Sequence, residues 1–230
     1  ASREGAELAF TYQGERLKEN VEALAATLPK SIVTLCDVMD EPQVDAVVKK
    51  LDQAWGGIDF IAHCIAYART EDLEGNYAKT GREGFNTALD VSAYSLTRVT
   101  QKFVPMMEKR GGGSIITLTY LGGQRVTPGY NVMGIAKAAL ESSVRYLAYD
   151  LGHKNIRVNA ISAGPISTLA ARGITGFSEI LRLNREKSPL KRNIEPEEVG
   201  DTALFLFSSL SRGITGGVIF VDCGYHILGF

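Results

Sequence analysis

The sequence predicts an α/β protein built on a doubly wound parallel sheet. Short apolar, β-branched runs alternate with longer segments of helical periodicity along the chain. This alternation is typical of a parallel sheet covered by helices on both faces. The length of 230 residues suits one such domain, and no repeat, low-complexity tract or linker divides it. We therefore expect residues 1–230 to form a single domain.

The predicted strands are short runs rich in apolar and β-branched residues. Several are continuous apolar runs rather than alternating ones, as expected for strands buried on both faces. Gln13 and Gly14 end the first of these runs, and the others are also followed by polar or glycine-containing turns. In chain order the predicted strands are Glu7–Tyr12, Ser31–Cys36, Phe60–Cys64, Ser114–Thr119, Arg157–Ala163 and Val218–Val221.

The predicted helices carry apolar residues three or four positions apart. Pro29 follows the first helix, and Asp40 with Pro42 begins the second, which ends at Gly56. The segment Gly164–Pro189 is the least regular and follows the carboxyl end of a strand, where open α/β sheets bind ligands. The helices are predicted over Glu15–Thr27, Asp40–Gly56, Arg82–Lys109, Asn131–Lys154 and Pro196–Ser208.

Composition argues against several classes of protein. The 25 basic and 26 acidic residues give a net charge of −1, so nothing electrostatic favours nucleic acid or an anionic membrane. No run approaches the roughly 18 apolar residues of a membrane-spanning helix. The cysteines, at positions 36, 64 and 223, lack C-x-x-C spacing, so we expect reduced thiols in a cytoplasmic protein.

The densest chemical signal runs from Tyr130 to Lys137. At about 100° per residue, these two side chains point to nearly the same side of a helix, two turns apart. The ammonium group is expected to lower the pKa of the phenol. Such a phenol can donate a hydrogen bond to an oxygen that gains negative charge. On spacing alone, an ordinary helix start with an aromatic residue and a solvated lysine remains the more common alternative.

Three sequence blocks resemble the bacterial enoyl-[acyl-carrier-protein] reductases, which have a Rossmann-like fold within the short-chain dehydrogenase/reductase superfamily. Ordinary short-chain dehydrogenases place lysine four residues after the catalytic tyrosine, where this chain has Gly134. They also have an Asn-Asn-Ala-Gly turn where this chain has the segment His63–Ala68. Both departures are similar to the enoyl reductases. The blocks are Thr117–Gly123, Tyr130–Glu141 and Arg157–Thr168.

The resemblance implies an NADH-dependent enzyme that reduces the trans-2 double bond of an enoyl thioester. The substrate is carried by acyl-carrier protein, and the reaction ends each cycle of type II fatty acid synthesis. Tyr130 would bind the thioester carbonyl, Lys137 the nicotinamide ribose, and Tyr120 would be the second active-site tyrosine. Ala68 would line the substrate site. A homotetramer without nucleic-acid or membrane partners is also implied, and the proton donor to the α-carbon is left open between Tyr130 and a water chain.

The resemblance further implies that NADH lies along the carboxyl ends of the strands. Gln13 stands where an arginine or lysine would favour NADPH, and so favours NADH. Asp37 has a plain alternative as the first residue of an Asx turn, and Tyr120 as a packed strand-end aromatic. The residues expected to bind NADH are Gln13, Asp37, Val38, Ile65, Lys137, Ile166, Ser167, Thr168, Leu169 and Ala170.

The segment Gly164–Pro189 resembles the substrate-binding loop of the family. Its apolar residues, at positions 170, 174, 177 and 180, would cover the acyl chain, although an ordinary surface helix and loop is the alternative. Basic residues in and after this segment form a hypothetical docking patch for the acidic carrier protein. They are Arg172, Arg182, Arg185, Lys187, Lys191 and Arg192.

The resemblance begins at Gly5, so the first strand of the family fold and its glycine-rich turn are expected to be missing. That strand would be central, between Glu7–Tyr12 and Phe60–Cys64, and we expect an interrupted sheet there. Two other functions remain open. One is a short-chain reductase that acts on carbonyl groups, and the other is a non-catalytic dinucleotide-binding chain. Retention of Tyr120, Tyr130 and Lys137 together argues against the second.

Overall fold

A computed structural model describes residues 1–166 and 176–229 of the chain. All strand pairs in it are parallel. Every predicted strand is present, with ends that differ by two residues or fewer. The strands are β1 Ala9–Tyr12, β2 Ile32–Leu35, β3 Phe60–His63, β4 Gly113–Thr119, β5 Ile156–Ala163 and β6 Val218–Val221.

Each predicted helix is also present. The segment predicted as one helix over Arg82–Lys109 contains a wide π turn, Asp90–Tyr94, between two α-helices. The helices are α1 Glu15–Ala26, α2 Glu41–Trp55, α3 Thr70–Leu73, α4 Arg82–Leu89, α5 Ser95–Glu108, α6 Asn131–Leu151, α7 Phe177–Lys187 and α8 Pro196–Phe207.

Two of these helices, α3 and α7, are absent from the sequence prediction. Helix α3 spans four residues, too few for a periodic pattern to show. Helix α7 lies in the segment expected to be irregular, so that expectation is wrong for its second half. Arg182 of α7 forms ion pairs with Glu179 and Glu186, one turn away on either side, and such pairs stabilise a helix.

Local sequence signals explain where the other helices begin and end. The Asp40 side chain accepts a hydrogen bond from the Gln43 backbone at the start of α2, and Gly56 ends that helix with a φ of 67°. At the start of α8, Glu195 and Glu198 form a reciprocal capping box. These caps fix the helix ends that connect to the sheet.

Helices cover both faces of the larger sheet. Ile115 of β4 lies in a core cluster with Leu96 of α5 and Leu140 of α6. Its neighbour Ile116 packs in a second cluster with Leu206 of α8. Successive strand residues point to opposite faces, so a strand between two helical layers must be apolar at both positions. This explains the continuous apolar run that predicted β4.

The sheet is interrupted. Strands β1 and β2 form one pair, while the other four form a separate sheet in the order β3-β4-β5-β6. A cavity of about 730 Å³ lies between β1 and β3, lined by Ala9–Thr11 on one side and Phe60–Ala62 on the other. The interruption lies between the two strands where the family resemblance places it.

Candidate active site

The two predicted active-site tyrosines lie next to each other. Tyr120 directly follows β4, and Tyr130 directly precedes α6. Their ring centroids are 5.0 Å apart with an interplanar angle of 68°, an edge-to-face contact. The carboxyl end of the strand and the amino end of the helix thus bring together two phenols that are ten positions apart in the sequence.

Two glycines allow this close approach. A Cβ atom at Gly122 would lie 2.4 Å from Cδ1 of Tyr130 and 3.3 Å from Cδ1 of Tyr120. A Cβ atom at Gly134 would lie 2.8 Å from the carbonyl oxygen of Gly122. Position 134 is where ordinary short-chain dehydrogenases carry their lysine, and this backbone leaves no room there for a side chain.

Lys137 is buried, with 6% of its surface exposed. Its ammonium group donates a hydrogen bond of 2.8 Å to the carbonyl oxygen of Leu118 in β4. Burial lowers the pKa of Lys137 to about 8, and electrostatic interactions with Cys64 and Glu141 oppose that shift. The amine is therefore still mainly protonated at neutral pH, although its pKa lies only slightly above that pH.

The phenol of Tyr130 contradicts one expectation from the sequence. Its pKa is raised, first by burial and then by Tyr120, and Lys137 is not among the causes. Desolvation of the phenolate therefore sets the direction of the shift. The pKa of Tyr120 is also raised, mainly by burial. Both side chains are thus neutral hydrogen-bond donors rather than incipient phenolates.

His63, at the end of β3, is packed as expected, with 2% of its surface exposed. Its Nε2 lies 2.8 Å from the Ser95 hydroxyl and its Nδ1 lies 3.0 Å from the Thr117 hydroxyl. Burial lowers the pKa of His63 to about 4, helped by the positive charge of Lys137. The ring is therefore neutral at pH 7 and ties β3 to β4 and α5.

Ser92 is a further residue of the site region that sequence reasoning missed. It lies in the π turn, fully buried, and its hydroxyl donates to the Tyr67 carbonyl (3.0 Å) and accepts from the Tyr67 amide (2.9 Å). It thereby holds the turn after β3, which contains the predicted site residues Ile65 and Ala68. A serine inside a helical pattern carries no sequence signal for such a contact.

Two of the predicted NADH-binding residues, Gln13 and Asp37, meet at the ends of β1 and β2. The Gln13 amide donates a hydrogen bond of 2.9 Å to the Asp37 carboxylate. Asp37 also accepts from the Met39 amide at 2.8 Å, so the Asx turn considered as its alternative is present. Val38 and Ile65 line the cavity between the two sheets.

The remaining predicted residues are less constrained. Ala68 and Ile166 are half-buried at the ends of β3 and β5. Residues 167–175 lie outside the described part of the chain. The predictions for Ser167, Thr168, Leu169 and Ala170, and for positions 172 and 174, fall in this stretch.

Two of the six residues of the hypothetical basic patch are paired with carboxylates. Arg182 is paired with Glu179 and Glu186, and Arg192 with Glu198, each at 2.6 or 2.7 Å. These ion pairs neutralise two of the charges that were expected to attract an acidic carrier protein.

No cluster of three or more metal-ligating side chains occurs in the described ranges. No helix among the described residues is long and apolar enough to cross a membrane.

Comparison with known proteins agrees with this geometry. A family model described as "Enoyl-(Acyl carrier protein) reductase" matches residues 1–226. The NADH enoyl-[acyl-carrier-protein] reductase FabI of Bacillus subtilis is 55% identical over 225 residues, which is 97% of this chain and 86% of that protein. Its counterpart from Aquifex aeolicus is 49% identical over 227 residues, covering 99% of this chain and 84% of that protein.

Solved structures show the same fold. The Bacillus cereus enoyl-acyl carrier protein reductase, crystallised with NADP⁺ and indole naphthyridinone, matches with a TM-score of 0.95 and 54% identity, over 98% of this chain and 88% of that one. The enzyme of Anaplasma phagocytophilum in complex with NAD matches with a TM-score of 0.95 and 48% identity, over 100% of this chain and 87% of that chain. The fold class predicted from the sequence is confirmed, and the chain belongs to the enoyl-(acyl carrier protein) reductase family.

Proposed function

We propose that this protein catalyses the NADH-dependent reduction of the trans-2 double bond of enoyl thioesters carried by acyl-carrier protein, in type II fatty acid synthesis. Relatives about half identical over nearly the whole chain are named as NADH enoyl reductases. The observation that carries the proposal is the contact of Tyr120 with Tyr130 at the start of α6, the helix that also carries buried Lys137. The exclusion of a side chain at Gly134 separates this arrangement from that of ordinary short-chain dehydrogenases.

NADH fits the residues that are present. Among the described residues, the Lys137 ammonium donates to one carbonyl, so two of its three N–H groups remain for ribose hydroxyls. Val38 and Ile65 offer apolar surface, and Gln13 and Asp37 offer polar groups, at the strand ends. When bound, NADH supplies the hydride that adds to the β-carbon. We assign to its site Gln13, Asp37, Val38, Ile65, Lys137, Ile166 and the stretch Ser167–Ala170 predicted from sequence.

The site residues stabilise the charge that the reaction creates. Addition of hydride to the β-carbon places negative charge on the thioester oxygen. The neutral phenol of Tyr130 donates a hydrogen bond to that oxygen, and the Lys137 ammonium adds positive charge nearby. Loss of one preorganised donor of this kind costs about 100- to 1000-fold in kcat. Tyr120 orients Tyr130 through the edge-to-face contact, and Ala68 lines the substrate site.

A direct assay tests the proposal. Purified protein is incubated with NADH and a crotonyl thioester, and loss of NADH is followed. Tyr130→Phe should lower kcat about 100-fold or more, because the donor is removed while the ring is kept. Reduction of a ketone but not of the enoyl thioester would instead establish a carbonyl reductase. Binding of NADH without oxidation by either substrate would establish a non-catalytic chain, and equal kcat/KM for NADPH would refute the NADH preference.

We further propose a cytoplasmic homotetramer in which residues 1–230 form a single domain and 164–189 form the substrate-binding loop. Tyr146 and Tyr149 of α6 are 73% and 87% exposed. Exposed aromatic residues close together on a helix favour a subunit contact. Light scattering that gives a monomeric mass would refute the tetramer.

A further inference from the structure

Glu141 is a buried carboxylate next to the proposed active site. It lies on α6, one helical turn after Lys137, and only 5% of its surface is exposed. The Thr119 hydroxyl donates to its Oε1 at 2.7 Å, and the Gln124 amide donates to its Oε2 at 3.0 Å. Both donors are neutral. Burying a carboxylate against neutral partners is costly, so its position calls for a functional explanation.

The partners of Glu141 are the neighbours of the two tyrosines. Thr119 is the last residue of β4 and precedes Tyr120. Gln124 follows the short helical turn Leu121–Gly123, whose Gly122 underlies both rings. A Cβ atom at Gly123 would lie 3.0 Å from Oε1 of Glu141 and 3.1 Å from the backbone of Lys137. The carboxylate therefore fastens this turn to the helix that carries Lys137.

We propose that Glu141 is a positioning residue that places a buried carboxylate one helical turn from Lys137 and holds the Tyr120 turn against α6. This inference rests on the proposed function, because Lys137 acts in it. Cys64 and then Glu141 oppose the effect of burial on the pKa of Lys137. Burial raises the pKa of the Cys64 thiol, which is therefore uncharged at neutral pH, whereas Glu141 is a carboxylate. The other titratable groups that face this part of the site are His63 at the end of β3, Cys64 directly after it, Tyr120 after β4, and Tyr130 before α6.

The pH dependence of kcat/KM and of NADH affinity tests the proposal. In the wild type, both should fall at alkaline pH as Lys137 loses its proton. Glu141→Gln keeps the shape of the side chain but removes the charge, so this fall should begin at lower pH. Glu141→Asp keeps the charge and should restore the wild-type position. Asp150→Asn removes a charge from an exposed residue of the same helix and should leave the profile unchanged.

Two other substitutions separate charge from packing. Thr119→Val removes one hydrogen bond to the carboxylate but keeps its charge, so it should lower kcat without moving the alkaline fall. Gln124 is exposed, so Gln124→Lys can be tested even if Glu141→Gln does not fold. The added ammonium group should move the fall to lower pH, whereas Gln124→Met should not.

The outcomes distinguish this inference from the function on which it rests. Suppose that the wild type oxidises NADH with the enoyl thioester, but that Glu141→Gln and Gln124→Lys do not change the pH at which kcat/KM and NADH affinity fall. Glu141 then has a structural role alone, and the inference is refuted. If the wild type binds NADH but does not oxidise it with the thioester, the proposed function fails. The pH dependence of NADH affinity then still tests the effect of Glu141 on Lys137.

Discussion

Gly122→Ala is expected to disable the site by displacing Tyr130. The added methyl group would lie 2.4 Å from Cδ1 and 2.8 Å from Cε1 of the Tyr130 ring. Carbon atoms in favourable contact are about 3.5–4.0 Å apart. The backbone of Gly122 is not in the left-handed region, so alanine can adopt it. The clash with the ring, rather than backbone strain, is therefore the perturbation.

The size of the effect follows from this overlap. Relief requires the phenol and the turn to separate by about 1 Å or more, and a misplacement of about 1 Å at a reacting centre costs about 100-fold in rate. We therefore expect kcat with NADH and a crotonyl thioester to fall about 100-fold, equivalent to roughly 2.7 kcal/mol of transition-state stabilisation. Overpacking should also lower the free energy of unfolding by about 1–3 kcal/mol.

The assay needs a matched glycine substitution as its control. Gly152, at the end of α6, has a φ of −58°, and a methyl group added there would meet no neighbouring side chain within 4 Å. Gly152→Ala should therefore keep the wild-type kcat and leave the protein equally or slightly more stable. Steady-state kinetics and thermal unfolding of both variants provide the comparison. A folded Gly122→Ala protein with kcat within about threefold of the wild type would refute the proposed role of the Tyr120–Tyr130 contact.

Three further predictions concern polar groups, of which His63 and Ser92 are buried and Arg157 is half-buried. Because the pKa of His63 falls from 6.5 to about 4 on folding, its contribution of about 3 kcal/mol is present above about pH 6.5 and lost as pH falls toward 4. Chemical unfolding across this pH range should show the decrease in the free energy of unfolding in the wild type and in the control variant His153→Asn, whose histidine is exposed. The decrease should be absent in His63→Asn. Ser92→Ala leaves both Tyr67 backbone groups without their partner, so it should lower stability by about 1–3 kcal/mol and raise KM for NADH, unlike Ser143→Ala. Arg157 donates hydrogen bonds to the carbonyls of Leu206 and Ser208 and to the hydroxyl of Ser211. A lysine cannot span these acceptors, so Arg157→Lys should lower the free energy of unfolding, measured by urea denaturation, by about 2 kcal/mol. Unchanged stability would show that these contacts are dispensable.

Much of the fold could be predicted because it depends on local patterns. Consecutive apolar residues such as Ile115 and Ile116 indicate a strand covered on both faces, and the structure confirms this. Helix α7 was not predicted because the whole segment Gly164–Pro189 was assigned to a substrate-binding loop, although Phe177, Ile180 and Leu181 recur at helical spacing. The π turn has no periodicity that distinguishes it from the α-helices on either side.

The site was less accessible to sequence reasoning because electrostatics depend on burial. Spacing placed Tyr130 and Lys137 on one side of a helix but gave the wrong direction for the pKa of Tyr130, since it could not reveal that burial dominates the shift. The partners of Glu141 and the packing of Gly122 against the rings also arise only when the turn after β4 closes on α6.

Burial favours the useful protonation state of Tyr130 but opposes that of Lys137. Desolvation favours the neutral form of each group. For Tyr130 the neutral form is the hydrogen-bond donor that the proposed reaction needs, so burial alone suffices. For Lys137 the useful form is the charged one, and burial lowers its pKa to about 8. The site therefore needs a compensating negative charge near the lysine but none near the phenol, and Glu141, fastened one turn beyond Lys137, is placed to supply it.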